Sequence, residues 1–200
     1  MASLEPPGTR RLRLRRFTPD DLDLHHALLS DPEVTRYVGG VRTREESTEA
    51  FHTRVLPYYD EHPGLGAWAT IERETGACIG THLLNHIHGE SYIQVGYILF
   101  KPYWGRGYAT EMARALLRYG FSQLRLPTIN AITDLPNTAS QRVLLKCGLR
   151  RNGERSFAHP RYAGGVYAWF EREAADWLAD DRLRRDEDAT MSQGNGTIPA

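Results

Sequence analysis

The sequence predicts an α+β fold, a mixed α/β arrangement in which about four helices flank a central, mostly antiparallel sheet of about seven strands. Two observations support this prediction. The middle of the chain contains three strand-like segments separated by short turns, as in an antiparallel meander. The second half alternates strand-like and helix-like segments. A chain of 200 residues that is 40% hydrophobic is long enough for one domain with a sizeable core.

Seven short segments have the composition and the boundaries of β-strands. In the first segment, Leu12 and Leu14 alternate with arginines, which is the period of a half-buried strand. The three central strands are separated by turns that contain Gly76 and Gly89. The expected strands are 10–17, 67–72, 79–87, 92–100, 128–133, 150–157 and 166–172.

Capping residues mark the expected helix starts. Thr43 and Glu46 have the spacing of a capping box, in which each side chain binds the other residue's backbone N–H. Asn137 precedes a helical period, where its side chain can cap the first turn. Helices are expected from near residue 18, at 43–59, at 112–124 and at 139–147, with a shorter one at 30–38.

The chain is expected to consist of one domain with short flanks. Residues 9–180 contain the expected strands and helices, and 1–8 form an N-terminal extension. From residue 181 the sequence is charged and then rich in Ser, Gly, Asn and Thr. We therefore expect residues 181–200 to form a disordered tail. This organisation is compatible with a monomer and with a homodimer.

Charge and apolar patterning argue against several classes of function. The formal net charge is zero, so the chain lacks the basic stripe with which nucleic-acid-binding proteins neutralise phosphates. Residues 1–7 lack the apolar core of a secretion signal, and no run approaches the roughly 18 apolar residues of a membrane span. We therefore expect a cytoplasmic protein with no direct nucleic-acid contact, no membrane contact and, with only two distant cysteines, no metal.

Two glycines one residue apart separate the expected strand 92–100 from the helix that follows it. Gly105 and Gly107 allow the backbone to adopt φ > 0 and to approach a ligand closely, and the N–H groups of a helix start attract a phosphate. A dinucleotide-binding loop requires a third glycine where Thr110 stands, and a P-loop requires a lysine that this loop lacks. The segment therefore predicts a pyrophosphate cradle made of backbone N–H groups and Arg106.

Four short motifs follow one another within residues 9–173, and they lie in the expected strands, loops and helices. The motifs are Gly96-Tyr97, Pro102-Tyr103-Trp104-Gly105-Arg106-Gly107-Tyr108-Ala109-Thr110-Glu111, Asn137-x-x-Ser140 and Lys146-Cys147-Gly148-Leu149. In this order they resemble the GNAT family of N-acetyltransferases, and within it the ribosomal-protein-serine/alanine N-terminal acetyltransferase type. The resemblance implies acetyl-CoA as co-substrate and direct transfer of its acetyl group to a primary amine.

The resemblance also implies which residues hold acetyl-CoA. The backbone of Ile98, Leu99 and Phe100 is expected to bind the acetyl and pantetheine end, and Asn137 with Ser140 is expected to line the thiol end. The residues implied for the pyrophosphate are Trp104, Gly105, Arg106, Gly107, Tyr108, Ala109 and Thr110.

Direct acetyl transfer requires a neutral amine, hydrogen-bond donors for the developing oxyanion and a proton for the departing thiolate. Strand N–H groups near Leu99 would supply the donors if the strand bulges outward there. Many family members carry a glutamate base where Gln94 stands and a tyrosine acid where Leu144 stands. Ser140 is then the remaining candidate acid, although a serine at a helix start also bonds the backbone.

The residue that takes the proton from the amine is open. His82, His86 and His88 alternate along the expected strand, and Glu90 lies in the adjacent turn. Any of these four side chains is a candidate base, while each histidine is also compatible with a surface or hydrogen-bonded role.

The missing glutamate favours one class of acceptor. An α-amine has a pKa of about 7.7–8.0 and a lysine side chain about 10.4, so freeing the lysine at neutral pH costs about 3 kcal/mol more. A weak or water-mediated base therefore suits the N-terminal α-amine of a protein. Two alternatives remain: a small amine such as a polyamine or an aminoglycoside, and a catalytically weak acyl-CoA-binding sensor.

Overall fold

A seven-stranded sheet organises the chain, and the computed structural model describes residues 4–162 and 164–180 of it. The strands are β1 (Leu12–Arg16), β2 (Gly66–Glu72), β3 (Cys78–His86), β4 (Ile93–Leu99), β5 (Thr128–Asp134), β6 (Arg150–Arg155) and β7 (Tyr167–Glu173). Their order is β1-β2-β3-β4-β5-β7-β6, with β4 and β5 parallel and every other neighbouring pair antiparallel. The predicted α+β fold is confirmed; the tail expected at 181–200 lies outside the described residues.

Helices cover both faces of this sheet. They are α1 (Leu22–Ser30), α2 (Pro32–Thr35), α3 (Arg44–Ala50), α4 (Tyr58–Glu61), α5 (Tyr108–Ser122), α6 (Thr138–Lys146) and α7 (174–180). The capping box expected at Thr43 and Glu46 is present, since each side chain accepts the other residue's backbone N–H. The sequence did not predict α7.

The single helix expected at 43–59 is wrong, because the structure divides it. After α3 the backbone widens into a π-type turn at Phe51–Val55, and α4 begins beyond Pro57. Proline has no N–H to continue a helical hydrogen-bond ladder, and its ring clashes with the preceding turn. The apolar period continues through this break, which is why the sequence pattern did not reveal it.

The main core lies between α5 and one face of the sheet. Trp68 of β2 and Met112 and Leu116 of α5 are almost completely buried there. A fully buried side chain of this size stabilises the fold by roughly 1.5–3 kcal/mol relative to its exposed state. Two smaller clusters lie elsewhere, one around Phe51 and one around Trp169. Packing on both faces leaves β4 and β5 in the middle of the molecule.

The parallel strands β4 and β5 are joined at a single register pair, Gln94 with Asn130. The buried Asn130 side chain strengthens this junction by donating from Nδ2 to the backbone oxygen of Ile93 at 3.1 Å. Beyond the pair the two strands separate toward their carboxyl ends. The edge of β4 that faces β5 therefore has backbone groups without a strand partner, and such groups need another partner when they are covered.

We expect Gly80→Ala to lower the free energy of unfolding by about 2–5 kcal/mol. Gly80 lies opposite Leu99 with φ +142°, and a Cβ atom there would lie 2.2 Å from the backbone oxygen of Ile98. Both backbone strain and the clash with β4 oppose the substitution.

The matched control is Gly76→Ala, because Gly76 also has positive φ (+74°) but a Cβ atom there would meet nothing within 4 Å. It should lose only about 1–2 kcal/mol from strain. Urea denaturation followed by circular dichroism measures both variants, and equal losses would contradict the clash with β4.

Candidate active site

A cavity of about 620 Å³ passes through the gap between β4 and β5. On the face covered by α5 and α6 it is lined by Tyr97, Ser140 and Leu144. On the opposite face it is lined by Gln94 and Asp134, among others. One cavity therefore reaches both faces of the sheet, which is possible only because the two strands separate.

The predicted anion cradle lies at one end of this cavity. Gly105 and Gly107 have φ +74° and +78°, and Gly107 is the N-cap of α5. The backbone N–H groups of 105–110 donate no hydrogen bond to any other described residue. Trp104 is fixed beside them, because its Nε1 donates to the backbone oxygen of Leu99 at 2.7 Å. Free N–H groups at a helix start present partial positive charge, which suits a phosphate.

Most of the residues expected to bind acetyl-CoA line the cavity. They are Ile98, Leu99, Trp104, Gly105, Gly107, Tyr108, Ala109, Thr110, Asn137 and Ser140. Phe100 and Arg106 do not line it. The N–H of Phe100 donates to the backbone oxygen of Ile79 at 3.0 Å, and the guanidinium of Arg106 lies over the ring of Tyr103, 5.5 Å from its centroid.

An ion pair with the N-terminal strand holds the first turn of α5. Arg11 Nη2 lies 2.6 Å from Glu111 Oε2, and Thr9 Oγ1 donates to Glu111 Oε1 at 2.6 Å. Partial burial acts to raise the pKa of Glu111, but the hydrogen bonds from Thr9 and Arg11 hold it below its usual value. The carboxylate therefore stays charged and keeps the cradle attached to the sheet.

A tyrosine–serine pair lies where β4 faces α6. The Asn137 side chain accepts the N–H of Ser140 at 3.1 Å, which confirms the predicted cap. Ser140 Oγ lies 3.1 Å from the hydroxyl of Tyr97, which also donates to the Ser140 backbone oxygen at 3.1 Å. Burial raises the pKa of Tyr97, so its phenol keeps its proton. Sequence reasoning missed this pair because the two residues lie far apart along the chain.

Two of the candidate bases, His82 and His86, do not line the cavity. Alternate residues of β3 point to opposite faces, and Leu83 and Asn85 are the ones that line it. His82 is fully buried with Nδ1 2.8 Å from Thr70 Oγ1, and burial lowers its pKa to about 3. His86 Nδ1 lies 2.7 Å from the hydroxyl of Tyr58. These contacts favour structural roles for both histidines.

The other two candidates lie near the turn between β3 and β4. Glu90 does not line the cavity, whereas His88 does. Burial, together with the positive charges of Arg161 and Arg54, lowers the pKa of His88 to about 4. A neutral imidazole with so low a pKa has little capacity to hold a proton near pH 7.

A carboxylate that sequence reasoning missed points into the cavity. Asp134 ends β5 directly opposite Tyr167 of β7, so the two side chains share a face of the sheet. Both line the cavity, and burial raises the pKa of Asp134. Its carboxylate forms no hydrogen bond or ion pair with another described residue. The sequence did carry a signal for Asp134, since this carboxylate stands at the carboxyl end of a strand, just before the Asn137 motif.

The condition set for donors near Leu99, an outward bulge of the strand, is not met in its pairing with β3. The register between β3 and β4 runs without a shift; the irregular pairings lie between β2 and β3, at Thr70 and Ile71, and between β6 and β7, at Arg151 and Glu154. Free backbone groups arise on β4 because β5 moves away from it.

Among 4–162 and 164–180, no group of three or more His, Cys, Asp and Glu side chains is arranged to hold a metal ion. No helix of these ranges is both long enough and apolar enough to cross a membrane.

Known proteins share this sequence pattern and this fold. The family model of the acetyltransferase (GNAT) domain matches residues 11–150 of this chain. The uncharacterized N-acetyltransferase YoaA of Bacillus subtilis (strain 168) is 35% identical over 150 residues, which cover 72% of this chain and 82% of YoaA. The spermidine N(1)-acetyltransferase of Escherichia coli (strain K12) is 27% identical over 165 residues, covering 80% of this chain and 83% of that enzyme.

A solved structure extends the similarity to the fold. The ribosomal L7/L12 alpha-N-protein acetyltransferase RimL, in complex with coenzyme A, superposes with a TM-score of 0.68 at 16% identity, covering 84% of this chain and 97% of RimL. The match to the domain model and the identity to YoaA show the family. This chain belongs to the GNAT acetyltransferases and is an acetyl-CoA-dependent acyltransferase.

Proposed function

We propose that this enzyme acetylates a primary amine, the N-terminal α-amine of a protein or peptide. Bound acetyl-CoA would supply an acetyl group activated as a thioester. The observation that carries the proposal is the single cavity that joins the anion cradle on one face of the sheet to the unpartnered carboxylate of Asp134 on the other. An amine entering from the Asp134 side meets the carboxyl end of β4, where the strand has lost its partner.

The cradle fits the pyrophosphate of acetyl-CoA. Its N–H groups have no other partner, and both glycines adopt the positive φ that lets the backbone approach a phosphate. We assign pyrophosphate binding to the backbone of 105–110 with Trp104 beside it. The free edge of β4 at Ile98 and Leu99 would hold the acyl end and supply donors where negative charge develops.

Asp134 is our candidate for the base. Its raised pKa brings the carboxylate closer to the pKa of an amine than an exposed aspartate would be, which favours proton transfer. The transfer remains easier from an α-amine than from a lysine side chain, by about 3 kcal/mol at neutral pH. Gln94, at the position where the family places a glutamate, donates from Nε2 to Asn85 Oδ1 at 3.4 Å and has no basic atom to offer.

The Tyr97–Ser140 pair is our candidate for the acid. The single Tyr97 proton can go to the Ser140 backbone oxygen or to Ser140 Oγ, both 3.1 Å away; when it turns to Oγ, the serine's own O–H is free to point into the cavity toward the leaving sulfur. Leu144 is buried and offers no proton. Ser140 therefore acts with a phenol from another element, and because only its backbone N–H donates to the capping Asn137 side chain, its hydroxyl stays available as an acid.

Two alternatives keep specific support. The spermidine acetyltransferase from E. coli keeps a polyamine among the possible acceptors. The second alternative is a catalytically weak acyl-CoA-binding sensor, and the absence of a glutamate base at Gln94 supports it. Asp134 weakens this alternative, because its carboxylate lines the cavity and offers another base. The deciding experiment measures thiol release from acetyl-CoA with peptides bearing N-terminal Ser or Ala, an N-terminally blocked lysine peptide, spermidine and an aminoglycoside. Fastest turnover of the free N-terminal peptides is expected; silence on all acceptors with intact acetyl-CoA binding would favour the sensor.

Gly107→Val should weaken acetyl-CoA binding by about tenfold or more, because a β-branched residue resists φ +78° and its side chain enters the space that a phosphate approaches. Isothermal titration measures the affinity. Gly76→Val is the matched control, with φ +74° and open space around its Cβ atom. An unchanged dissociation constant in folded Gly107→Val would place the cofactor elsewhere.

Asp134→Asn should reduce kcat/KM by roughly 10²–10⁴-fold, the contribution of a positioned acid–base residue. In the parent enzyme, activity should fall as pH drops through the raised pKa of Asp134, because a protonated carboxyl cannot accept a proton. Asp134→Asn should lose this fall in activity, the acid limb of the pH–rate profile. It should keep the limb that reflects titration of the acceptor amine. Asp20→Asn, at an exposed aspartate, is the control. A retained limb in Asp134→Asn would exclude Asp134 as the base.

Ser140→Ala should lower kcat by roughly tenfold or more with little change in acetyl-CoA affinity, because a proton given to the departing sulfur stabilises the transition state alone. Tyr97→Phe should cause a similar loss, and the double variant should lose less than the product of the two, since the residues act as a pair. Losses that simply multiply, or a fall in affinity with constant kcat, would make Ser140 a binding or capping residue.

A further inference from the structure

Three arginines from separate elements are electrostatic neighbours, and one of them lines an end of the cavity. Arg42 lies in the loop before α3, Arg54 in the π-type turn and Arg161 in a short turn at Pro160–Tyr162. Arg161 lines the cavity. Burial of Arg42, followed by the positive charges of Arg161 and Arg54, lowers its pKa to about 10, while Arg54 and Arg161 are themselves exposed.

None of the three arginines forms an ion pair with a carboxylate in the part of the chain that the structure describes. The carboxylate that acts on Arg42 is that of Glu46, whose Oε2 already accepts the N–H of Thr43 in the capping box. Neighbouring positive charges without a counter-ion destabilise one another, and a bound anion removes that repulsion. The arrangement therefore favours an anionic ligand at this end of the cavity.

The arginine end and the anion cradle lie at opposite ends of β4. The strand has seven residues, so it spans about 20 Å. The cradle follows its carboxyl end, and His88 and Arg161 lie near its amino end. Contacts between loops fix this second end: Arg161 N–H donates to His159 Nδ1 at 3.1 Å, and the rings of His88 and His159 stack with centroids 5.6 Å apart. The arginines are thus placed to meet an acceptor.

Two carboxylates also line the cavity, and neither neutralises the arginines. Glu33 forms an ion pair with Lys101, near the cradle. Asp134 is the group that we assign to the acceptor's amine. The acceptor side therefore offers the carboxylate of Asp134 for an amine and, separately, the positive charge of Arg161, with Arg42 and Arg54 as its neighbours, for the rest of the acceptor. A spermidine molecule would meet repulsion where a carboxylate would meet attraction.

We propose that the acceptor carries carboxylates within a few residues of its α-amine, so that the substrate is a peptide or protein with an acidic N-terminal segment. The inference rests on the proposed function, since it assigns the arginine end to the acceptor of that reaction. It also separates this enzyme from polyamine acetylation, because a polycation bound in the cavity would meet the positive charge of Arg161 and of its neighbours Arg42 and Arg54.

Binding tests this inference without turnover. Three amidated peptides, Ser-Ala-Glu-Glu-Ala-Tyr, Ser-Ala-Gln-Gln-Ala-Tyr and Ser-Ala-Lys-Lys-Ala-Tyr, are titrated into the full chain saturated with coenzyme A. The Glu peptide should bind roughly tenfold more tightly than the Gln peptide, and the Lys peptide most weakly. The preference should shrink as ionic strength rises. Equal affinities, or tightest binding of the Lys peptide, would overturn the proposal.

Substitutions at the arginine end locate the effect. The double variant Arg42→Gln/Arg161→Gln should lose most of the preference for the Glu peptide and keep its affinity for coenzyme A. Arg118→Gln is the matched control, because Arg118 is exposed on α5, away from the cavity. If the double variant keeps the full preference, the carboxylates bind elsewhere and the inference is wrong.

Thiol release distinguishes the two proposals. Preferential binding of the Glu peptide without release of coenzyme A from acetyl-CoA would contradict the proposed α-amine acetylation and leave the acidic binding site supported. Faster acetylation of spermidine than of the Glu peptide would overturn the acidic acceptor and leave acetyl transfer to amines intact.

Discussion

The site depends on one constraint, the single register pair between β4 and β5 at Gln94 and Asn130. Parallel strands normally continue to pair, because backbone N–H and C=O groups that are covered without a partner cost free energy. Here the strands part after one pair, and the edge of β4 borders a cavity. The backbone groups that pairing would have used are free to bind a ligand, and the opening connects the two faces of an otherwise continuous sheet.

That opening separates two kinds of chemistry. The face under α5 and α6 carries neutral donors: the N–H groups of the cradle and the hydroxyls of Tyr97 and Ser140. Burial raises the pKa of Tyr97, so its phenol keeps its proton. The other face carries Asp134, whose pKa is raised. The groups that we propose as acid and base thus lie in different environments, an arrangement that lets one site run acid and base steps at the same pH.

The cradle is held by contacts with distant parts of the chain. Arg11 of the N-terminal region pairs with Glu111, the hydroxyl of Tyr108 donates to Glu72 of β2, and Trp104 Nε1 donates to the backbone of Leu99. Loops that bind phosphate through backbone N–H groups gain affinity when they are held in the binding conformation beforehand, because less ordering is required on binding. In the proposed function, Arg11, directly before β1, would thus support cofactor binding without lining the cavity.

The sequence by itself determined the fold class, the family and the position of the cradle, because alternation, capping residues and a glycine pair are local signals. It also identified the Asn137 cap, which is set by neighbours along the chain. Only the tertiary structure decided that His82 does not line the cavity, that Tyr97 reaches Ser140, and that Asp134 lines the cavity. Which face of a strand borders a cavity, and what a buried side chain touches, depend on strand pairing and packing between residues far apart in sequence, and no local pattern carries that information.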